Sequence, residues 1–493
     1  MQLISTRGGG KPVSPAEAIA KGIAEDGGLY VPQSFPALTA DELEKLLPLE
    51  YYERAAYIIG KYLTDFTGEE LLEYCKAAYE RFDGEPAPLA NLQENTYMLE
   101  LWHGPTCAFK DIALTLLPHL LAASRKKIGS KLRTLILVAT SGDTGKAALE
   151  GFKDVEDTAI IVFYPNDGVS KMQQLQMSTQ NGSNTHVIAV DGNFDDTQNG
   201  VKTIFNSREA NKKINALGYE LSSANSINFG RLVPQIAYYV SAYLDLVSGG
   251  EIEMGDKINF CVPSGNFGNI LAGYYSYRMG LPVNKLICAS NTNKVLCDFI
   301  TTGEYNTGRE FYKTMSPSMD ILISSNLERY LFELCGRDSS LLSDWMKELK
   351  EDGNYRITPE QLNNMRKLFA SGWADETETA EAIRNCQYQS NYVADPHTAV
   401  GSYVYSTYVT DTGDGSPAVI VSTASPYKFA QDVYRALEDK EEPDAFKVMQ
   451  KLKKWTGYDA PEAISGLAGK EILHNETCKK SEMTDRVIEW IKR

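Results

Sequence analysis

Apolar residues fall along this chain in two rhythms, and the change between them divides it. Over residues 1–95 the spacing is mostly helical. Pro15 to Ile23 places a proline in a first turn with apolar residues at 19 and 23, and helical patterns follow from about Asp41 to Leu63 and from Gly68 to Phe82. Asp26-Gly27-Gly28-Leu29-Tyr30-Val31-Pro32 reads as a turn into a short extended stretch. Glycine and proline in Asp83-Gly84-Glu85-Pro86-Ala87-Pro88 interrupt both helix and strand and mark a boundary.

From about residue 97, short apolar runs alternate with helical ones. Strands are predicted at 132–139, 158–164, 186–190, 257–262, 285–291 and 418–423, with helices at 112–125, 202–216, 232–248 and 270–279. Short buried strands separated by helices predict an α/β fold with mostly parallel sheets, helices on both faces, and ligand sites beyond the C-terminal strand ends. Residues of about 300–390 are polar and helical with no strong strand, and read as an insertion. The expected organisation is a helical domain at 1–95, an α/β core at 96–430 and a charged helical segment at 431–493.

Composition narrows the partners. With 493 residues the chain is too long for one hydrophobic core, and 43% hydrophobic with 23% charged residues is the balance of a soluble globular protein. A formal charge of −16 argues against a nucleic-acid partner, and Arg125-Lys126-Lys127 reads as a solvated helix end. Eight cysteines without a Cys-x-x-Cys pair, and no secretory leader, are expected to be free thiols in a reducing cytoplasm. Five isolated histidines give no metal-ligand spacing, and no apolar run reaches bilayer length, so neither a metal nor a membrane is expected.

Four segments carry chemistry. Thr140-Ser141-Gly142-Asp143-Thr144-Gly145-Lys146-Ala147 gathers hydroxyls and backbone N–H groups at a helix start, a ready anion site. A Walker loop needs four residues between its glycines and a hydroxyl after lysine; here two separate Gly142 from Gly145 and Ala147 follows Lys146. Pro263-Ser264-Gly265-Asn266-Phe267-Gly268-Asn269 follows a strand and suits a phosphate dianion, but it lacks dinucleotide spacing. In His103-Gly104-Pro105-Thr106-Cys107-Ala108-Phe109-Lys110-Asp111, the lysine sits beside apolar Phe109 at a predicted helix start. Desolvation and the helix dipole both disfavour its ammonium, leaving an amine able to form a Schiff base. The strand 418–423 ends in Val421-Ser422-Thr423-Ala424-Ser425-Pro426, setting a neutral hydroxyl at the sheet edge. Taken singly, each glycine loop also reads as a tight turn, and Lys110 as a lysine paired with Asp111.

These segments, in this order, resemble the threonine synthase family of fold-type II pyridoxal-phosphate enzymes. Ser5-Thr6-Arg7-Gly8-Gly9, Ala24-Glu25-Asp26-Gly27-Gly28-Leu29-Tyr30-Val31-Pro32 and Asn225-Ser226-Ile227-Asn228 with Arg231 add to the match, which runs over nearly the whole chain. The resemblance implies pyridoxal 5'-phosphate as cofactor and conversion of O-phospho-L-homoserine and water to L-threonine and phosphate. It implies Lys110 as the cofactor lysine and catalytic base, with Phe109 near the ring. It implies Ser264, Gly265, Asn266, Phe267, Gly268 and Asn269 at the cofactor phosphate, and Thr423 at the pyridine nitrogen. Ser141, Gly142 and Thr144 would meet the substrate carboxylate; Asn225, Asn228, Arg231 and Lys171 would meet its phosphate. Asp143 stands where many relatives carry Asn facing the cofactor's phenolic oxygen, and Ser425 where many carry His. The expectation is a cytoplasmic monomer or small homo-oligomer acting on a small molecule. A serine or threonine dehydratase on the same fold is the nearest rival, and a catalytically silent phosphometabolite-binding homologue the second.

Overall fold

Along the strands Arg133–Ala139 and Thr158–Pro165, side chains divide by parity. Ile136, Val138, Ile160 and Val162 join one core, while Leu135, Leu137, Ile161 and Phe163 join another on the opposite face, as the two-residue period of a strand requires. The computed structural model describes residues 1–140, 142–166 and 169–492. In it, these strands are the middle of a five-stranded parallel sheet ordered Glu476–Lys479, Thr185–Asp191, Thr158–Pro165, Arg133–Ala139, Tyr219–Ser222.

A six-stranded sheet runs in the order Phe369–Trp373, Val283–Ser290, Ile258–Pro263, Ala418–Ser422, Thr96–Glu100, Leu89–Gln93; only its last pair is antiparallel. The largest core extends from Leu3 to Val421 and includes one face of each sheet, the N-terminal helices and the helix Phe229–Ser248. The α/β fold with mostly parallel sheets is therefore as the sequence predicts. Loops at the C-terminal ends of Arg133–Ala139, Ile258–Pro263 and Ala418–Ser422 supply the residues described below.

Several elements differ from expectation. Residues 300–390 do contain strands: Glu304–Asn306 pairs with Asn354–Arg356, and Phe369–Trp373 is an edge strand of the large sheet. Phe-Ala-Ser-Gly-Trp carries little strand signal; its pairing with Val283–Ser290 is a tertiary effect. The C-terminal segment likewise contributes Glu476–Lys479 as an edge strand. The predicted helix 202–216 is two helices, Phe194–Asn206 and Arg208–Ala216, because Ser207 is extended and its side chain caps the second. No helix among the described residues is long and apolar enough to cross a membrane.

Candidate active site

The segment holding Lys110 is stitched to the end of Ala418–Ser422. Phe109 N–H donates to the Thr423 carbonyl at 2.9 Å, and Ser425 N–H to the Cys107 carbonyl at 3.1 Å. Cys107 adopts a left-handed φ of 58° to allow this. Lys110 then starts the short helix Lys110–Leu114, its Nζ 3.3 Å from Ser318 Oγ, 3.5 Å from Asp143 Oδ2 and 5.2 Å from the Phe109 ring centroid. Its side chain is 13% exposed. Burial lowers its proton affinity; Asp143 opposes this, while the positive charges of Lys428 and Arg231 add to it. A pair with Asp111 is absent, because that carboxylate accepts from Thr106 N–H at 2.8 Å and Thr106 Oγ1 at 2.6 Å.

Asp143 is the hub. Oδ1 meets Lys428 Nζ and Gln173 Nε2, each at 3.1 Å, and Oδ2 accepts from Ser318 Oγ at 3.2 Å besides Lys110. Burial pushes its carboxyl up, but Lys428, Lys110, His397 and the Gln173 hydrogen bond together hold it far below the usual carboxylate range. Gly142 makes room for this contact: at its φ of 144°, a Cβ would lie 2.3 Å from Gln173 Nε2.

The loop after Ile258–Pro263 is laid out for an anion. The backbone N–H groups of Gly265, Asn266, Phe267, Gly268 and Asn269 have no partner among the described residues. Phe267, left-handed at φ 59°, turns the chain into the helix Gly268–Met279, while its ring is buried against Tyr330 and Phe369. The loop is braced from behind by Ser324 Oγ on the Gly265 carbonyl (2.8 Å) and by Asn326 N–H on the Asn266 carbonyl (3.0 Å). Asn269 Oδ1 accepts from Tyr238 and Tyr239, whereas its buried Nδ2 has no partner. Five open amides and an orphaned amide nitrogen fit a phosphate dianion. Thr423 is buried beside the Lys110 segment; its backbone is spent on Phe109 and Thr398, and its hydroxyl makes no hydrogen bond among the described residues.

Comparison with known proteins agrees with this arrangement. Three family models match: "Threonine synthase N terminus" over residues 2–79, "Pyridoxal-phosphate dependent enzyme" over 85–424 and "Threonine synthase, C-terminal" over 398–466. A threonine synthase of Schizosaccharomyces pombe is 38% identical over 88% of this chain and 89% of its own length. A crystal structure of pyridoxal-phosphate-bound threonine synthase from Brucella melitensis superposes with a TM-score of 0.87 at 35% identity, covering 100% of this chain and 99% of that one. The yeast threonine synthase structure gives 0.88 at 32% identity, over 100% and 98%.

The chain belongs to the threonine synthase family.

The human protein named Threonine synthase-like 1 is 41% identical over 86% of this chain, which spans only 58% of that relative's length.

The residues that the threonine synthase resemblance assigns to substrate fare unequally. Arg231 is buried, with Nη1 on the Ala224 carbonyl at 2.6 Å and Nε unpartnered; burial, slightly offset by Asp111, brings it down to about 10. Asn225 is half-buried and its side chain makes no hydrogen bond among the described residues, nor does that of Thr144. Asn228 is a correction: it caps the helix Phe229–Ser248 through Gly230 N–H and spends its Nδ2 on the carbonyls of Ile19 and Ser223, so no amide proton is left for a ligand. Gly142 is another, since its N–H donates to Thr140 Oγ1 at 3.0 Å and is not offered to a carboxylate. Ser264 Oγ donates to the Val262 carbonyl at 2.9 Å, and Asn266 is exposed with Oδ1 accepting from Ser325, so the amides rather than these side chains form the anion cradle. Lys171 is a third correction. In the helix Lys171–Ser178 it shares a face with Gln174, Leu175 and Ser178 and lines a separate cavity of about 390 Å³, while Gln173 on the other side meets Asp143. Ser141 lies outside the described residues.

Sequence reasoning missed Lys428, Ser318, Gln173 and His397. His397 Nδ1 pairs with Asp395 Oδ1 at 2.7 Å, and its Nε2 accepts Ser318 N–H at 3.1 Å, fixing the loop that carries Ser318. Asp395-Pro396-His397-Thr398 does show a helix-cap pattern, and Asp395 caps Pro396–Thr412. Nothing in the local sequence around Lys428 or Ser318 marks either residue.

Proposed function

We propose that the chain is a threonine synthase, converting O-phospho-L-homoserine and water to L-threonine and phosphate. The reading is carried by the Lys110 amine, partly desolvated and in contact with the Asp143 carboxylate and with Ser318, whose carbonyl lies against Gly265 of the loop of five open amides. Bound pyridoxal phosphate would supply an electron sink for a carbanion on the substrate.

The chain's own residues supply the rest. Gly265 to Asn269 would hold the cofactor phosphate through backbone N–H groups, with Asn269 Nδ2 as a further donor. The Thr423 hydroxyl would meet the pyridine nitrogen without protonating it, and Asp143 would face the phenolic oxygen. A neutral Lys110 Nζ would take the substrate's α proton and then a β proton, and return protons at the γ and α carbons. Arg231 and Asn225 would bind the departing phosphate, where local positive charge is needed in a protein of formal charge −16. Thr144 remains the assignment for the substrate carboxylate, together with Ser141, which lies outside the described residues. We infer a cytoplasmic setting and a monomer or small homo-oligomer without a nucleic-acid partner; the net charge and the unbridged cysteines support this.

The test is direct. Purified protein should be yellow, borohydride should bleach it and fix the cofactor to Lys110, and phosphohomoserine should yield threonine and phosphate in equal amounts. Accumulation of a 2-oxo acid and ammonia instead would assign a dehydratase. A colourless protein that forms no adduct at Lys110 with saturating cofactor would remove the reading altogether.

A further inference from the structure

Two lysines address one carboxylate. Lys428 Nζ sits 3.1 Å from Asp143 Oδ1 and Lys110 Nζ 3.5 Å from Asp143 Oδ2. The Lys428 side chain has 0% exposure, against 13% for Lys110. It lies within the 3-10 turn Pro426–Phe429, so the strand Ala418–Ser422 and the chain behind it deliver both Thr423 and this cation to the site.

Burying an ammonium is costly unless it is paired and hydrogen-bonded. Lys428 meets that demand with Asp143 Oδ1 and with the Thr106 carbonyl at 2.8 Å. The other charged or titratable groups facing it are Asp111, the Cys107 thiol, Lys146 and Lys110. Asp111 accepts two hydrogen bonds from the neutral Thr106, and burial pushes its carboxyl up against the pull of Lys428. The carboxylate that Lys428 contacts is Asp143, and Lys146 has its own partner in Glu150 at 3.3 Å. Around Lys110 itself stand Asp143, Lys428 and Arg231. One carboxylate neutralises one cation. The lysine with the shorter contact and no exposed surface takes it, and Lys110 keeps the Ser318 hydroxyl as its nearer partner at 3.3 Å.

We propose that Lys428 is a positioning residue for the reaction: by neutralising Asp143 it releases Lys110 from serving as that carboxylate's counter-ion, so that Lys110 acts as a free amine. This rests on Lys110 being the cofactor lysine. Without Lys428, Asp143 holds its charge against Lys110 alone and keeps that ammonium protonated to higher pH.

The full-length chain, stripped of cofactor, is mixed with pyridoxal phosphate over a pH series. The rate of visible absorbance gain gives the midpoint at which Lys110 becomes reactive, and borohydride fixation with mass analysis locates the adduct. K428M and K428Q, the latter able to keep a donor to the Thr106 carbonyl, should each move the midpoint up by about one pH unit or more. K428R should leave it near the wild-type value. The double variant K428M/D143N removes both charges, and its midpoint should also return to within about half a unit of wild type. It can be measured even where the single neutral variants fail to fold, since an uncharged pair replaces a buried unpaired carboxylate.

Unmoved midpoints in K428M and K428Q would overturn the proposal and leave Lys428 a structural tie to Thr106. So would a K428M/D143N midpoint displaced upward by a unit or more. If wild-type protein forms no adduct at Lys110, the assignment of Lys110 fails instead, and the two failures are told apart.

Discussion

Thr6 Oγ1 donates to Glu328 Oε1 at 2.6 Å, a bond between residues 322 apart in sequence. Arg7 adds Nε at 3.1 Å to the same oxygen and Nη2 at 2.9 Å to the other. The next residue, Arg329, is fully buried and donates to the carbonyls of Tyr30 and Ile227 and to Asn326 Oδ1. Asn326 braces Asn266 in the five-amide loop. The Ser5-Thr6-Arg7-Gly8 signature thus clamps the helix Leu327–Leu334, whose N-cap Asn326 supports the five-amide loop.

Glu328→Ala should therefore cost about 1–3 kcal/mol of stability, because Thr6 loses a buried acceptor. It should also weaken cofactor retention, read by titrating cofactor-free protein with pyridoxal phosphate. A loss of stability with unchanged retention would mean that the clamp does not reach the loop.

Gly151 lies where the helix Asp143–Phe152 crosses the end of Lys110–Leu114. A Cβ there would stand 2.0 Å from the Leu114 carbonyl oxygen, a backbone atom that cannot rotate away. Gly151→Ala should destabilise the protein by about 1–3 kcal/mol in chemical denaturation. It should also lower activity, since both helices carry site residues. Wild-type stability would show that the two helices separate freely.

Arg231→Met should lower kcat/KM for phosphohomoserine roughly 10- to 100-fold, the value of one charged hydrogen bond to phosphate. Binding of unphosphorylated homoserine should change little. Equal losses with both ligands would show that Arg231 does not read the phosphate.

Glu42 gives a pH prediction. Hydrogen bonds from Lys61, from Thr39 N–H and from Tyr57 hold its carboxyl at about 2, below its ordinary 4.5. A depressed folded-state value stabilises above the unfolded one and is lost as pH falls through the folded one. Wild-type protein should therefore exceed Glu42→Gln in stability at pH 6, with the gap closing between about pH 4.5 and 2. A gap that stays constant through that range would rule out ionisation as its origin.

Legibility in the sequence follows the range of the interaction. Strand runs such as Thr158–Pro165, buried throughout, announce themselves by composition, whereas Phe369–Trp373 and Glu476–Lys479 are strands only because a neighbouring edge accepts them. The five-amide loop and Lys110 are visible because glycine spacing and an apolar neighbour are local signals. Asn228 and Gly142 are over-read for the same reason: their polar groups are consumed by Ile19, Ser223 and Thr140, which no local pattern reveals.

The sequence alone determined the alternation of strand and helix, the loops at the strand ends and the lysine among them, since each depends on periodicity or turn chemistry within a few residues. Only the tertiary structure decided which charges meet. Asp143 is reached by Lys110, Gln173, Ser318 and Lys428 from four separate segments. Lys171, two residues from Gln173, is carried by the turn of one helix to a different cavity. Coulombic pairing and desolvation depend on distance through space, and that distance exists only once the two sheets close over a shared core.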